Sequence, residues 1–333
     1  MPVILVTMSS ESYHRVLDSA ARERLRALGE IKYALDPNNM SEAELQQMWR
    51  GADYALTGWG VRAPRQEWFE ALPRLKAICH AAGSVRMFPR ELIKRGVIVT
   101  SARAAIARTV AEFCLAGVLN ALRALPAYDA RLADAGVSLG GCRRPKTQTL
   151  FGKTVLLIGL GHVGRWFLHL LRPFDVRVLA VDPRLDPAEA RALGVEVSTL
   201  HDALAVADVV SLHAPDIPDT RGMIGAQELS LMKDGAVLVN TARGKLIDTD
   251  ALTHVLANGR IRAVLDVTEP EPLPAHHPLL SMSNVLLTPH MAGPTTDELP
   301  RLGEMAVTDL ERIVHGEKPI WPIGLEAYDL MSF

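Results

Sequence analysis

The sequence predicts an α/β protein built from two doubly wound, parallel-sheet domains, and three observations support this class. Short apolar runs alternate with helix-period segments along nearly the whole chain. The apolar runs are continuous, which is typical of strands covered on both faces and therefore of parallel sheets. The length of 333 residues is enough for about two domains, each with a core of its own.

The first series of elements occupies the part of the chain before residue 125. A long apolar segment at 104–123, in which Gly117 is the only glycine, predicts a buried helix. The irregular stretch 125–150 that follows predicts an extended arm or loop. The remaining elements are strands at 3–7, 54–57, 76–79 and 97–99, and helices near 18–28, 41–50 and 90–94.

A second series begins at residue 154 and resembles a complete doubly wound set of about six strands, the number typical of a dinucleotide-binding domain. A last helix is predicted over 294–314. The strands are expected at 154–158, 177–181, 208–212, 236–239, 262–266 and 285–288.

The segment GLGHVG at 159–164 carries the most specific signal, because it joins an apolar strand to an amphipathic helix. Gly159 permits a tight turn off the strand, and Gly161 allows the backbone to approach a pyrophosphate. Gly164 allows the helix to pack closely on the sheet, while the helix N-terminus offers N–H groups to the phosphates. This arrangement predicts a Rossmann domain that binds a dinucleotide.

Asp182 closes the second strand of this unit, where a carboxylate can accept hydrogen bonds from an adenosine ribose. Its charge would repel a ribose 2′-phosphate, so we expect NAD in preference to NADP. Arg184 could weaken this preference by pairing with such a phosphate, but a solvated loop arginine is the favoured interpretation.

Bulk properties exclude several function classes. A net charge of −2 favours neither nucleic acid nor an anionic membrane as a partner. The N-terminus lacks the basic region of a signal peptide, and no apolar stretch is expected to span a bilayer, so cytoplasm is the predicted location. Cys79, Cys114 and Cys142 are predicted to be reduced thiols, and without a CxxC pair no metal site is expected. The adjacent His276 and His277 are interpreted as surface residues.

Three polar segments follow consecutive predicted strands of the second series, at 240–244, 268–274 and 288–293. Ligands of parallel α/β sheets bind outside the carboxyl ends of the strands, so these segments are the candidate site. A nicotinamide dehydrogenase needs a cation for its substrate, an acid/base and a group that orients the acid/base. Arg243, His290 and one of Glu269 or Glu271 are the candidates.

The segments GLGHVGR, NTARGKLID, DVTEPEPLP and LLTPHMAGPT resemble, in this order, the signatures of the D-isomer-specific 2-hydroxyacid dehydrogenases. The family includes phosphoglycerate, glycerate/hydroxypyruvate and D-lactate dehydrogenases. The match extends from about Lys76 to Glu311. It implies a Rossmann NAD-binding domain at 103–293, inserted into a smaller flavodoxin-like substrate domain at 1–102 plus 294–333. It also implies a homodimer, formed through a helix and arm at about 104–150.

The resemblance assigns three catalytic residues. Arg243 would bind the carboxylate of a 2-oxo acid and polarise its carbonyl, a task suited to a planar, always-charged guanidinium. His290 would exchange the proton of the hydroxyl group, and Glu271, chosen over Glu269 by the motif register, would orient it. Each residue also has a structural interpretation: a surface charge, a loop acid and the end of a strand.

The resemblance also implies the ligand contacts. The N–H groups of Gly83, Ser84 and Val85 would hold the substrate carboxylate. The family usually continues Gly-x-Asp at this loop, whereas this chain has Ser84-Val85-Arg86; it also lacks the usual arm tryptophan and has Asp216-Ile217 in place of Leu-Thr. Cofactor contacts would come from Gly159, Gly161, His162, Val163, Gly164, Asp182, His213, Pro215, Thr241, Ala242, Asp266 and His290.

The sequence thus predicts an NAD-dependent oxidoreductase that interconverts a D-2-hydroxy acid and its 2-oxo acid, by hydride transfer between nicotinamide C4 and substrate C2. A dehydrogenase-like regulator of the corepressor type, without turnover, is the alternative from another class. Phosphite oxidation is a further alternative, since the catalytic triad alone is compatible with it. Formate oxidation is disfavoured, because a glutamine would be expected where Glu271 stands.

Overall fold

The computed structural model describes residues 1–125 and 147–332, so most of the predicted arm, including Cys142, lies outside the described residues. The chain divides into two compact units. The first comprises Met1–Ile106 with Pro294–Phe333, and the second comprises Ala107–Gly293. Each unit contains one parallel sheet, so the predicted fold class is confirmed.

The first unit contains a five-stranded parallel sheet with the order β2-β1-β3-β4-β5. This is the flavodoxin-like order, in which the direction of winding reverses between β1 and β3. The strands are β1 (Val3–Met8), β2 (Glu30–Leu35), β3 (Tyr54–Thr57), β4 (Ala77–His80) and β5 (Ile98–Ser101).

The second unit contains a seven-stranded parallel sheet with the order β12-β11-β10-β9-β6-β7-β8. The six predicted strands are present, and β8, only two residues long, is an addition. The strands are β6 (Thr154–Ile158), β7 (Arg177–Val181), β8 (Glu196–Val197), β9 (Val209–Leu212), β10 (Val237–Asn240), β11 (Arg262–Leu265) and β12 (Val285–Leu287).

Six of the described helices begin at a side chain that accepts a hydrogen bond from a free N–H group of the first turn, as at Ser9, Asp18 and Ser41. The helices that the structure describes are α1 (Ser10–Val16), α2 (Ser19–Leu28), α3 (Glu42–Arg50), α4 (Arg90–Lys94), α5 (Arg103–Arg123), α6 (His162–Leu171), α7 (Pro187–Leu193), α8 (Leu200–Val206), α9 (Ala226–Leu231), α10 (Thr249–Ala257), α11 (Leu299–Val314) and α12 (Leu325–Asp329).

Three sequence predictions require correction. Strand β2 was not predicted, because its sequence EIKYAL lies at a sheet edge and only Ala34 is buried. Helix α11 begins at Leu299 and not at 294, since the Thr295 carbonyl accepts the N–H groups of Glu298 and Leu299 in a turn. Helix α5 is long and apolar enough to span a membrane by length and composition, contrary to expectation, although 56% of that stretch is buried inside the protein.

His80, at the end of β4, gives the first unit a pH-dependent stability. Its Nδ1 lies 2.8 Å from the Thr57 hydroxyl, and burial lowers its pKa to about 4. An unfolded histidine titrates near ~6.5, so the unfolded chain binds a proton that the folded chain excludes as the pH falls below that value. This stability is present at neutral pH and is lost between about pH 6.5 and pH 4.

We expect His80 to lower the free energy of unfolding by about 2 kcal/mol between pH 7.5 and pH 5. Urea unfolding of the wild type and of His80→Gln at the two pH values measures this, with exposed His315→Gln as the control. The His80→Gln protein should lose less stability on acidification than the other two. An equal loss in all three proteins would contradict the assignment.

Candidate active site

The glycine turn after β6 contains two glycines at which an added Cβ would clash with the protein and one at which it would not. Gly159 has φ +93°, and a Cβ there would lie 2.8 Å from the His213 carbonyl oxygen. A Cβ on Gly164 would lie 2.4 Å from the Gly159 oxygen, so the helix packs directly on the turn. A Cβ on Gly161 would meet no atom within 4 Å. Gly161 therefore borders open space at the helix N-terminus.

The N-terminus of α6 has no side-chain cap at Gly161. The helix therefore presents N–H groups and the positive end of its dipole to that space, as an anion site requires. Asp182, at the end of the neighbouring β7, accepts the N–H of Leu160 at 2.7 Å and that of Arg184 at 2.9 Å. Its carboxylate therefore fixes both the glycine turn and its own turn, and its two oxygens retain capacity to accept from a ribose.

His213 packs against the same glycine turn. Its Nε2 lies 3.0 Å from the Ser211 hydroxyl, and its ring meets Phe167 edge-on at 5.6 Å. Burial lowers the pKa of His213 to about 3, so the imidazole is neutral. Its buried Nδ1 has no hydrogen-bond partner within the part of the chain that the structure describes. Nearby, the Pro215 carbonyl accepts the Thr220 hydroxyl.

The loop after β10 holds Arg243 through the buried side chain of Asn240. The Asn240 amide donates to the Arg243 carbonyl at 2.8 Å and accepts the Ala242 N–H at 3.1 Å. A Cβ on Gly244 would lie 2.0 Å from the Thr268 oxygen, so the loops after β10 and β11 are in backbone contact. Asn240 was not among the predicted site residues, although it opens the NTARGKLID segment.

The Arg243 guanidinium is partly buried and donates to the Ala242 carbonyl at 2.7 Å. Burial lowers the pKa of Arg243, and the negative charges of Asp216 and Glu271 oppose this effect. An arginine remains charged under such conditions, because its unperturbed pKa exceeds ~12. Arg243 is thus a cation on the same side of the second unit as Glu271.

Thr241 precedes this arginine and contacts helix α5, with its hydroxyl 3.1 Å from the Cys114 thiol. Burial raises the pKa of Cys114 to about 12, so the thiol stays protonated. Cys114 therefore acts as a packing and hydrogen-bonding residue behind the loop.

Asp266 fixes the turn after β12. Its buried carboxylate accepts the Thr288 hydroxyl at 2.7 Å and the N–H groups of Met291 and Ala292 at 2.8 and 2.9 Å. Its carbonyl accepts the His290 N–H at 2.9 Å. The family resemblance implies that Asp266 is a cofactor contact; its contacts within the protein hold the histidine turn in place.

His290 and Glu271, the residues predicted to act as acid/base pair, are in direct contact. Nδ1 of His290 lies 2.5 Å from Oε1 of Glu271, and both side chains are partly exposed. His290 has φ +53°, a left-handed conformation that is uncommon for a non-glycine residue and that turns the chain sharply after β12. The glutamate that meets the ring is Glu271, so the ring nitrogen left for a substrate is Nε2.

In the first unit, the loop 82–89 after β4 carries three consecutive N–H groups, those of Gly83, Ser84 and Val85. Within the described residues none of the three donates to a protein acceptor. The Gly83 carbonyl accepts the Ser101 hydroxyl at 2.5 Å, which links the loop to the end of β5. A run of free N–H groups in a turn is a feature that can bind an anion. We call residues 82–89 the cradle loop.

Residues 115–292, more than half of the chain, match the family model described as D-isomer specific 2-hydroxyacid dehydrogenase, NAD binding domain. The chain belongs to this family. A glyoxylate reductase from Thermofilum pendens is 36% identical over 262 residues, covering 76% of this chain and 76% of that protein. The predicted family and its NAD-binding Rossmann domain are therefore confirmed.

Other relatives carry different names. A D-3-phosphoglycerate dehydrogenase from Methanocaldococcus jannaschii is 33% identical over 88% of this chain, which spans only 55% of that longer protein. The crystal structure of an Aquifex aeolicus D-lactate dehydrogenase with NAD and lactic acid superposes with a TM-score of 0.75 at 26% identity, covering 94% of this chain and 96% of that one.

Proposed function

We propose that the chain is an NAD-dependent oxidoreductase that interconverts a D-2-hydroxy acid and its 2-oxo acid. The observation that carries this proposal is the His290–Glu271 contact of 2.5 Å, on loops that follow the adjacent strands β11 and β12. Arg243 follows β10, the next strand of the same sheet. A cation and an oriented acid/base at neighbouring strand ends are the groups that carbonyl reduction needs.

In this proposal Arg243 binds the substrate carboxylate and polarises the carbonyl at C2. Its fixed charge stabilises the negative charge that develops on the carbonyl oxygen. Asn240 and Gly244 hold the loop in place, so the guanidinium needs little reorganisation during the reaction. We also propose that the free N–H groups of the cradle loop bind a substrate carboxylate.

His290 holds the proton at Nε2 and donates it to the carbonyl oxygen in reduction, then accepts it again in oxidation. Glu271 accepts from Nδ1 and fixes the orientation of the ring, so that Nε2 is the nitrogen that exchanges the proton. Asp266 acts through His290, because it fixes the turn that carries the ring. NADH supplies the hydride when bound.

The residues of the second unit fit NAD. We propose that the pyrophosphate lies over Gly161 against the N–H groups of His162 and Val163, and that Asp182 accepts from the ribose. His213 and Pro215 would border the adenine side, and Thr241, Ala242 and Asp266 the nicotinamide side. The carboxylate of Asp182 disfavours the 2′-phosphate of NADP.

Turnover of a small panel tests the proposed function. Consumption of NADH and of NADPH is followed with glyoxylate, hydroxypyruvate, pyruvate and 3-phosphohydroxypyruvate, and reduction of NAD with phosphite. We expect NADH-linked turnover of at least one oxo acid and none of phosphite. Binding of NADH without turnover of any compound would instead support a non-catalytic regulator.

Glu271→Gln should lower kcat/KM about 10²-fold, because an amide is a weaker acceptor than a carboxylate for the Nδ1–H group that fixes the ring of His290. Steady-state rates of NADH-linked reduction measure the effect. Glu269→Gln, two residues away, is the matched control and should leave kcat/KM unchanged; equal losses in the two variants would contradict the pairing.

We further propose a cytoplasmic homodimer that associates through α5. Its segment includes Phe113, Leu115 and Ala116, which are half-buried or exposed within the single chain. Light scattering on the purified protein should give twice the chain mass, and a monomer would contradict this assembly.

A further inference from the structure

The cradle loop departs from the usual family sequence at two positions, and both contact the segment 323–332. The Ser84 hydroxyl donates to the Ser332 carbonyl at 2.6 Å. The Arg86 guanidinium lies 4.8 Å from the centre of the Tyr328 ring, and its Nη1 is 3.5 Å from the Tyr328 carbonyl. Ser84 and Arg86, which replace the Gly and Asp of the family pattern, thus both contact the segment 323–332.

Two further contacts join the same segment to the end of the cradle loop and the start of α4. The Tyr328 hydroxyl donates to the Phe88 carbonyl at 2.6 Å in a buried position. Arg90 forms a two-bond ion pair with Asp329, at 2.8 and 2.9 Å. Val85, Phe88, Tyr328, Met331 and Ile323 also belong to one apolar cluster. Hydrogen bonds, an ion pair and apolar packing therefore all connect the two segments.

These contacts use side chains and carbonyls of the cradle loop and leave the N–H groups of Gly83, Ser84 and Val85 available. Ser84 contacts Ser332 through its hydroxyl, while the N–H groups of Gly83, Ser84 and Val85 donate to no acceptor in the described part of the chain. A loop fixed before binding loses less conformational entropy when it takes up a ligand. The segment 323–332 is therefore placed to hold an anion site without occupying it.

We propose that the segment 323–332 positions the cradle loop for the carboxylate of the 2-oxo acid, with Ser84 and Tyr328 as the positioning residues. This inference rests on the proposed function. In this proposal, the residues Ser84-Val85-Arg86, which differ from the usual family sequence, hold the loop in place through contacts within the chain. Arg86 contributes by packing against the Tyr328 ring.

Ser84→Ala and Tyr328→Phe each remove one hydroxyl and leave every N–H group of the loop in place. We expect each change to raise the KM for the best oxo acid of the panel about 5-fold, and the double variant to raise it at least as much. The kcat and the NADH dissociation constant should stay within about twofold of the wild type. Ser84→Thr, which keeps a hydroxyl at this position, should have a KM close to that of the wild type.

Ser230→Ala is the matched control, because the Ser230 hydroxyl also donates to a backbone carbonyl at 2.6 Å, in the second unit. Thermal unfolding of every variant separates folding from binding. A lowered melting temperature with an unchanged KM in both variants would overturn the proposal, since it would show a merely structural contact.

Calorimetric titration of the NADH complex with oxalate, a dicarboxylate that is not reduced, tests the inference independently of turnover. Weaker oxalate binding by Ser84→Ala and Tyr328→Phe supports it even if the wild type reduces no oxo acid, a result that would overturn the proposed function alone. Equal oxalate affinity in the wild type and both variants would overturn the inference.

Discussion

Replacing Arg243 by alanine is expected to lower kcat/KM for the oxo acid by about 10³-fold. The change removes the cation that binds the carboxylate and stabilises the developing oxyanion. Loss of a single preorganised donor to such an oxygen costs about 3–4 kcal/mol in comparable sites. The loop itself should survive, because Asn240 holds it through the backbone of residues 242 and 243.

The affinity for NADH should change less than about threefold in the same variant, since the proposed cofactor contacts lie on other residues or on backbone atoms. Arg243→Lys should recover only part of the activity, because an ammonium cannot form the paired hydrogen bonds of a guanidinium. Arg177→Ala, which removes an exposed arginine paired with Glu196 in the same unit, is the control. Retention of full activity by Arg243→Ala would refute the catalytic assignment.

Gly161→Val is expected to raise the NAD dissociation constant about 100-fold while leaving the protein folded. A Cβ at this position meets no protein atom within 4 Å, and the backbone has φ −75°, which any residue can adopt. The added side chain would therefore cost little in the free protein. It would occupy the space that we assign to the pyrophosphate.

Gly164→Val provides the contrast, because its Cβ would lie 2.4 Å from the Gly159 oxygen and should reduce stability as well as binding. Fluorescence titration with NADH and thermal unfolding distinguish the two variants. If Gly161→Val bound NADH as tightly as the wild type, the pyrophosphate could not lie over this glycine. A smaller effect of Gly161→Ala would match a steric origin.

The sheet strands of the second unit could be predicted closely, because they are buried on both faces and therefore read as continuous apolar runs. The same rule missed β2, whose sequence EIKYAL lies at the edge of the first sheet with most of its residues accessible. It also could not place the start of α11, where a turn at Thr295 delays the helix to Leu299. The local hydrophobic pattern indicates which residues are buried. It therefore does not identify an exposed edge strand such as β2, nor a turn that sets the start of α11.

The candidate site was predicted for a different reason. Arg243, Glu271 and His290 follow consecutive strands, and parallel topology brings their loops to one edge of the sheet. The residues that support the site were harder to predict, because their contacts depend on how individual loops fold. Asn240 beneath the Arg243 loop had a local signal in NTARGKLID, whereas the contact between Ser84 and Ser332 joins residues 248 positions apart and had none.

Transfer of deuterium tests the central claim most directly. The protein is incubated with each oxo acid of the panel and with NADH carrying deuterium at nicotinamide C4, in both stereochemical forms, and the products are analysed by mass spectrometry and chiral separation. We predict a D-2-hydroxy acid labelled at C2 from one form of NADH only, and a rate of deuterium transfer that is about 10³-fold lower for Arg243→Ala. Unlabelled products, or no product from any oxo acid while NADH remains bound, would contradict it.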